Sequence, residues 1–233
     1  MQPALSLLLR RAVLLGPGRP WNLAGSLFTI PDMPHLTLYL CRHGDTAWSA
    51  ERRLAGRTDI PLVEQGERNA HQLGERLQGI AFERVLASPL ERARRTAELA
   101  GYGGRAELDP RLLEMHFGRY EGLTVEEIRR EHPGWTYLRD GCPGGEQAAD
   151  VGARVDALLA ELSSCSGSVA LFAHSVVLRV LAARFLGLAP EHGRQLMLSP
   201  GALCVLGYDL VDDSRAIASW NDRAHLVGQR GFA

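Results

Sequence analysis

Short apolar segments alternate with helical patterns along this chain, and that alternation constrains the fold more than any other feature. Residues 36–41 ("LTLYLC") alternate as a strand does, 84–88 ("RVLAS") are a second short apolar strand, and 168–173 ("SVALFA") are a third that is apolar almost throughout. A continuous apolar strand is expected where both faces of a sheet are covered. The alternation predicts an α/β fold, a three-layer sandwich with a mostly parallel central sheet, helices on both faces and a small cap insertion.

Four segments have helical character, and two further strands follow the last of them. The helices are predicted at 64–78, from Ser88 onward, at 146–162 and from 175 to Gly187. Ser88 as N-cap, Pro89 at the first helical position and Glu91 three residues after the cap form a capping-box pattern. Residues 202–210 and 216–220 are predicted strands, and the turn between them joins them into a hairpin.

The composition indicates one substantial core and no strongly charged partner surface. The 233 residues are 45% hydrophobic with a net charge of −1, so no broad basic field directs the chain to nucleic acid or an anionic membrane. No apolar run approaches the roughly 20 residues of a membrane span. All 26 basic residues are arginine, so an anion site must use guanidinium, imidazole and backbone N–H groups. Four widely separated cysteines predict free thiols in a reducing compartment, here the cytoplasm.

The first 33 residues differ from the rest of the chain. They contain three arginines and a single acidic residue, and Arg10-Arg11 interrupts their apolar stretch, so they make a poor secretory signal. They are either a targeting extension or the product of a start assigned too early, since Met33 precedes the first strand. We expect residues 1–33 to be a poorly ordered extension and 34–233 to form the domain, with a loop-rich cap insertion at about 101–145.

Polar side chains follow three predicted strands at the point where each strand ends. These are Arg42 and His43 after the first strand, Ser88 and Arg92 after the second, and His174 and Ser175 after the third. Ligands in open α/β sheets bind outside the carboxyl ends of the strands, so neighbouring strands would bring both histidines and both arginines into one pocket. Helix N-termini add N–H groups and partial positive charge. The pattern predicts a site for a compact dianion, foremost phosphate, because guanidinium groups match phosphate oxygens.

Two histidines in a phosphate pocket indicate chemistry in addition to binding. A neutral imidazole can take a phosphoryl group covalently, while the second histidine and the arginines stabilise charge on the equatorial oxygens. The leaving alkoxide then needs a proton. Glu114, in "LLEMHFGRYEGLT", is the candidate donor if its loop folds over the strand ends, and His116 and Glu121 are candidates for supporting positions around it.

Four segments, in this order, resemble the histidine phosphatase superfamily of phosphoglycerate mutases and phosphomonoesterases: "RHGDTAWSAERRLAGRTDIPLVEQG", "ASPLERARRTAEL", "LLEMHFGRYEGLT" and "FAHSVVLRVLAARFLG". They fall within residues 36–208. The resemblance implies that His43 is the phosphorylated nucleophile and Glu114 the proton donor. It also implies a set of phosphate-binding residues, namely Arg42, Arg92 and His174. The family usually has asparagine where this chain has Ser49, which can still donate one hydrogen bond.

Arg57 and Ser175 are further candidate substrate contacts. A closer resemblance is to the sedoheptulose-bisphosphatase-like branch, through residues 48–49 ("WS"), 135–146 ("WTYLRDGCPGGE") and the ending "LSPGALCVLGYD". It implies a sugar phosphate as substrate, with Arg139 binding a second phosphate. Arg139 and its neighbours could equally be packing residues of the cap.

The sequence therefore predicts a phosphomonoesterase that hydrolyses a small phosphorylated metabolite through a phosphohistidine intermediate, without metal or cofactor. A phosphoglycerate-type mutase with the same residues, and an inactive module that binds a phosphate ligand, are the alternatives. The moderate insertion and the lack of a long basic cap segment favour hydrolysis. The oligomeric state stays open, with a homodimer formed through a predicted edge strand at 202–210 as one alternative.

Overall fold

The computed structural model describes residues 36–209 and 211–226. The predicted N-terminal extension, residues 1–33, lies outside these ranges. Within them, no helix combines the length and apolar character needed to cross a membrane.

A mixed sheet of six strands forms the centre of the described chain. In chain order the strands are β1 Thr37–Arg42, β2 Phe82–Ala87, β3 Glu107–Leu108, β4 Ser168–Ala173, β5 Leu203–Tyr208 and β6 Arg215–Asp222. Their spatial order is β3-β2-β4-β1-β5-β6. The β3–β2, β2–β4 and β4–β1 pairs are parallel, whereas β1–β5 and β5–β6 are antiparallel. The predicted α/β fold with a mostly parallel sheet and the predicted terminal hairpin are both confirmed.

Helices cover both faces of this sheet. In chain order they are α1 Ala47–Ala50, α2 Glu64–Arg76, α3 Glu91–Leu99, α4 Val125–Glu131, α5 Tyr137–Asp140, α6 Ala148–Leu162 and α7 Ser175–Phe185. Short 3-10 turns lie at Pro110–Leu112, Gly118–Tyr120 and Pro190–Gln195. Thr46 and Thr124 begin α1 and α4 with capping boxes, in which each threonine oxygen accepts a hydrogen bond from the backbone of the third helical residue.

Alternation along the strands divides the core into two layers. Leu38 and Leu40 of β1 point to the layer that contains α6 and α7, while Tyr39 points to the layer that contains α2 and α3. In β4, Phe172 joins the second layer and is fully buried. Burial of such a side chain stabilises the fold by roughly 1.5–3 kcal/mol. Both faces of the sheet are therefore covered by packed helices, which explains why the sequence of β4 is apolar almost throughout.

The predicted start of α3 is wrong. Ser88 does not cap this helix, which begins three residues later at Glu91. The carboxylate of Asp59 accepts the hydrogen bond from the Glu91 N–H instead, at 2.9 Å. Ser88 is buried at the end of β2, and its hydroxyl is engaged by a histidine ring described below. The capping-box pattern is local in sequence, so it does not show that Ser88 has a competing hydrogen-bond partner 86 residues away along the chain.

The predicted edge strand is also misplaced. β5 pairs with β1 on one side and with β6 on the other, so it lies inside the sheet. The hairpin turn folds β6 back along β5, and β6 pairs with the edge of β5 that β1 leaves open. β5 therefore has no free edge with which a second copy could pair. The prediction of a homodimer formed through this strand is wrong.

The segment predicted as a cap insertion contains several short elements. β3 joins the sheet at its edge, and α4 and α5 lie farther along the segment. Trp135 is buried here, and its indole N–H donates to the carbonyl of Gly141 at 2.9 Å. Backbone hydrogen bonds from Arg119 to Pro143 and from Glu146 to His116 join the middle of this segment to its end. A separate contact anchors the chain before Glu114 to the sheet, since the N–H of Asp109 donates to the carbonyl of Ala87 in β2 at 2.9 Å.

Candidate active site

The carboxyl ends of β2, β4 and β1 lie side by side. Backbone N–H groups continue the strand pairing by one residue on each side of β4: His43 donates to Ala173 at 3.0 Å, and Ser88 donates to Phe172 at 2.9 Å. His174 follows β4 directly, between these two neighbours. The ring centroids of His43 and His174 are 5.2 Å apart. The sheet register alone therefore brings both histidines to one place.

Gly44 has to be glycine because another backbone passes close to it. A Cβ added at Gly44 would lie 2.2 Å from the carbonyl oxygen of Gly66 in α2, and backbone cannot move aside cheaply. The Gly44 N–H donates to the hydroxyl of Thr96 in α3 at 3.2 Å. Contacts with two helices thus fix the turn that aims the His43 ring.

The His43 ring is held through Nδ1, and its Nε2 has no hydrogen-bond partner among the described residues. Nδ1 lies 2.7 Å from the carbonyl oxygen of Gly44, which can only accept, so Nδ1 carries the proton in the neutral ring. Nε2 then keeps its lone pair. Burial, followed by the positive charges of Arg42 and Arg92, holds the pKa of His43 well below its ordinary value of 6.5. The ring is therefore neutral at physiological pH, the form that can act as a nucleophile.

Arg92 and Ser88 hold the second histidine between them. Arg92 Nε donates to Nδ1 of His174 at 3.1 Å, so the proton of the neutral ring is on Nε2, which donates to Ser88 Oγ at 2.7 Å. Burial, followed by the charge of Arg92, holds the pKa of His174 well below 6.5. Both ring nitrogens are engaged by protein groups, so His174 has no N–H left to donate to a phosphoryl oxygen while its hydrogen bond to Ser88 is in place.

Arg92 is fully buried, and a loop of backbone carbonyl groups accounts for its two remaining nitrogens. Nη2 donates to Gly56 at 2.8 Å and Nη1 to Thr58 at 2.9 Å. Glu121 fixes that loop by accepting hydrogen bonds from the N–H groups of Arg57 and Thr58, each at 2.8 Å. Burial lowers the pKa of Arg92, and the charge of Glu114 partly offsets this.

Arg42 makes a single side-chain hydrogen bond among the described residues. Its Nη1 donates to the carbonyl of Leu198, while its buried Nε–H has no hydrogen-bond partner among the described residues. Burial lowers the pKa of Arg42 to about 10, so it remains a cation at neutral pH. A buried donor without an acceptor is costly. Arg42 also lines the cavity described below, so its remaining N–H groups are candidates for binding a phosphoryl oxygen.

Glu114 lies against the N-terminus of α7. Its Oε2 accepts from the N–H of Val176 at 3.0 Å, and its Oε1 accepts from Val177 at 3.1 Å and from Met115 at 2.9 Å. The first turn of the helix that follows His174 therefore positions this carboxyl group. Glu114 is 6% exposed and lines the same cavity as His43.

The cavity has a volume of about 170 Å³ and is lined by both sequence-predicted and unpredicted residues. Ser49, Ser175 and Tyr137 line it. The Ser49 hydroxyl belongs to the cap of α1, where it donates to the carbonyl of Thr46 at 2.9 Å and accepts from the Thr46 N–H. A hydrogen bond from Ser49 to phosphate would have to replace the one to that carbonyl.

Two sequence-predicted arginines lie elsewhere. Arg57 is paired with Glu146 at 3.3 Å and does not line the cavity. Arg139 donates to Asp140 at 2.8 Å and to the carbonyl of Gly134. It lines a separate open depression of about 720 Å³ on the cap segment. The structure thus brings together the residues at the strand ends and leaves these two apart.

Several supporting residues had no separate signal in the sequence. Gly56 and Thr58 act through backbone carbonyls, which any residue possesses. Glu121 was a candidate for a supporting position, but its actual target, the loop beneath Arg92, could not be read from spacing. Arg52 also lines the cavity and was not singled out.

A buried neutral imidazole with a free Nε2, two guanidinium groups and a carboxyl group define a site suited to phosphoryl transfer. The sequence model of the histidine phosphatase superfamily (branch 1) matches residues 38–223. The chain therefore belongs to the histidine phosphatase superfamily.

Its relatives include phosphatases and a mutase. It is 35% identical over 183 residues to the "Probable phosphoglycerate mutase GpmB" of Salmonella choleraesuis, which covers 74% of this chain and 85% of the relative. Among solved structures, the product of open reading frame Rv3214 of Mycobacterium tuberculosis superposes with a TM-score of 0.74 at 32% identity, covering 79% of this chain and 96% of that one. The mycobacterial glucosyl-3-phosphoglycerate phosphatase Rv2419c gives 0.71 at 30% identity, over 79% and 98%.

Proposed function

We propose that this protein is a phosphomonoesterase that hydrolyses a small phosphorylated metabolite through a phosphohistidine at His43. The observation that carries the proposal is the His43 ring, neutral and oriented by Gly44 so that Nε2 is free in a cavity lined by Arg42 and Arg92. An inactive binding module would have no need of a nucleophile in this protonation state.

In the first step, the lone pair of His43 Nε2 attacks phosphorus and the bond between phosphorus and the ester oxygen breaks. Arg42 and Arg92 neutralise the negative charge on the equatorial oxygens, and His174 contributes a ring dipole polarised by Arg92. Glu114 transfers a proton to the departing oxygen, so the alcohol leaves neutral.

In the second step, Glu114 has become a carboxylate and takes a proton from water. The water oxygen attacks phosphorus, the bond between phosphorus and Nε2 breaks, and inorganic phosphate leaves. His43 regains its lone pair and Glu114 its proton, so both residues return to their starting state. The hydrogen bonds from α7 hold Glu114 in position through both steps.

A phosphoglycerate-type mutase is the second candidate, because the Salmonella relative carries that name. A mutase must protect its phosphohistidine from water and return the phosphoryl group to the substrate. Glu114 lines the cavity beside His43 and could serve as acid and base in either reaction, so the moderate cap insertion, which lacks a long basic segment, is what favours hydrolysis.

The decisive experiment is a hydrolysis screen across phosphorylated metabolites, ranked by kcat/KM, with inorganic phosphate as the measured product and no bisphosphate primer. Rapid phosphate release supports the phosphatase. Isomerisation of phosphoglycerate that requires a bisphosphate primer would support the mutase. His43→Ala, with the exposed His71→Ala as matched control, should abolish either activity.

We place sugar phosphates first among the substrates. This rests on the resemblance to sedoheptulose-bisphosphatase-like enzymes and on a structural neighbour named as a glucosyl-3-phosphoglycerate phosphatase. The cytoplasm is the proposed compartment, since the four cysteines are free thiols and buried. That the reaction needs neither metal nor cofactor stays a prediction.

A further inference from the structure

Arg52 is an exposed arginine at the rim of the cavity that contains His43. Four arginines line this cavity: Arg42, Arg52, Arg53 and Arg92. Arg92 is buried, Arg42 and Arg53 are half-buried, and Arg52 is exposed. The exposed member of the lining lies where the cavity opens to solvent, away from the buried end at which phosphorus would meet His43.

Arg52 differs from the other three in its contacts. Arg42 and Arg92 are held by the backbone carbonyl groups described above. Arg53 donates from Nε to Glu51 and from Nη1 to the carbonyl of Gly122, each at 2.7 Å. The guanidinium of Arg52 has neither a hydrogen-bond partner nor an ion-pair partner anywhere in residues 36–209 and 211–226. Its five donors are free for a ligand.

The backbone conformation at Arg52 fixes the position from which its side chain extends. Its φ is +58°, in the left-handed region that favours glycine or asparagine. Its N–H donates to the carbonyl of Ser49 at 3.2 Å, and the next N–H, of Arg53, donates to that of Trp48 at 2.8 Å. The tight turn after α1 therefore holds an arginine in a conformation that glycine or asparagine adopts with less strain, and both hydrogen bonds keep the turn at the cavity rim.

We propose that Arg52 is a specificity-determining residue, which binds a second anionic group on the substrate, a carboxylate or a further phosphate. The inference rests on the proposed function and adds the class of ester that is preferred. With the reacting phosphoryl group at the buried end, the rest of the ester extends toward the rim. A guanidinium there matches either anion bidentately.

Matched pairs of substrates test this directly. The phosphate ester of hydroxypropionate is compared with that of hydroxypropionamide, which has the same shape but no second charge. The bisphosphate of propanediol is compared with its monophosphate. In the wild-type enzyme, kcat/KM should favour the charged member of at least one pair by about tenfold, the equivalent of about 1.4 kcal/mol. The pair that shows the preference identifies whether the second anionic group bound at Arg52 is a carboxylate or a phosphate.

Variants then assign the preference to one residue. Arg52→Ala should reduce it to near unity, and Arg52→Lys, which keeps a charge but not the planar fork, should retain part of it. Arg194→Ala removes the same charge from an exposed position outside the cavity, and it should keep the wild-type preference.

The outcomes separate the inference from the function on which it rests. If the wild-type enzyme hydrolyses both members of each pair equally well, or if Arg52→Ala keeps the full preference, Arg52 does not read the substrate and the inference is overturned. If Arg52→Ala and Arg194→Ala reduce the preference equally, the preference comes from the overall charge of the protein and not from binding at Arg52, and the inference is overturned. If the wild-type enzyme hydrolyses no ester, including nitrophenyl phosphate, the proposed phosphatase itself is overturned.

Discussion

Replacing Ser88 by alanine deletes one hydroxyl group from the floor of the site. Ser88 is fully buried, and its Oγ lies 2.7 Å from Nε2 of His174. Because Arg92 donates to the other ring nitrogen, Nε2 must be the protonated one and Ser88 the acceptor. In Ser88→Ala this N–H group is buried without an acceptor, at a cost of about 1–3 kcal/mol.

Two measurements follow from that loss. The free energy of unfolding, from urea denaturation, should fall by about 1–3 kcal/mol. The turnover number should fall by about tenfold, the equivalent of about 1.4 kcal/mol, because the His174 ring loses one of the two contacts that orient it. Ser88→Thr keeps the hydroxyl group and should recover most of the turnover, although its stability also reflects the added methyl group.

Unchanged turnover and unchanged stability in Ser88→Ala would refute this reasoning. That result would mean that Arg92 alone orients His174, and that the short contact between Ser88 and the ring contributes nothing. A loss of stability without a loss of turnover would limit Ser88 to a structural role.

Three further predictions concern Glu114, the histidines and Glu121. Glu114→Gln should lower kcat for alkyl phosphates by about 10²–10⁴, and should lower it much less for nitrophenyl phosphate, whose leaving group needs no proton; equal losses would remove Glu114 as the acid. His43 should remain neutral at about pH 6 by NMR. Because burial lowers the pKa of both histidines in the folded protein, the unfolded chain takes up protons at a higher pH than the folded protein does, and the free energy of unfolding should fall as pH drops below about 6.5. A free energy of unfolding that does not change with pH in this range would contradict the burial argument. Glu121→Gln should reduce kcat/KM by about tenfold through the loop beneath Arg92, while Glu126→Gln, exposed on α4, should not; equal rates in both variants would exclude that support.

The strand ends could be predicted because their signal is local. Each apolar run is followed at once by its polar residues, and parallel strands bring their carboxyl ends to one edge. His43, Arg92 and His174 are therefore found together, although the order of the strands was not readable. Glu114 lies on a loop with no such rule. The residues alone made it a candidate donor only if that loop folds over the strand ends, and the resemblance of its segment to a known family assigned its role.

Other features depend on contacts between distant parts of the chain. Ser88 had the pattern of a helix cap, but a buried imidazole competes for its hydroxyl and Asp59 caps the helix instead. Arg139 lies two residues after Tyr137, yet its side chain donates to Asp140, whereas Tyr137 lines the cavity. Arg52 gains its position from a left-handed turn that its residue type does not predict.

A rapid acid- or base-quench experiment with a substrate labelled in its phosphoryl group tests the central claim most directly. Within a single turnover, the account predicts a covalent phosphate on His43 that survives base, is lost in acid and decays as inorganic phosphate is released. His43→Ala should show neither label nor turnover. Turnover without any label on His43, or a label on another residue that forms and decays at the catalytic rate, would contradict the account.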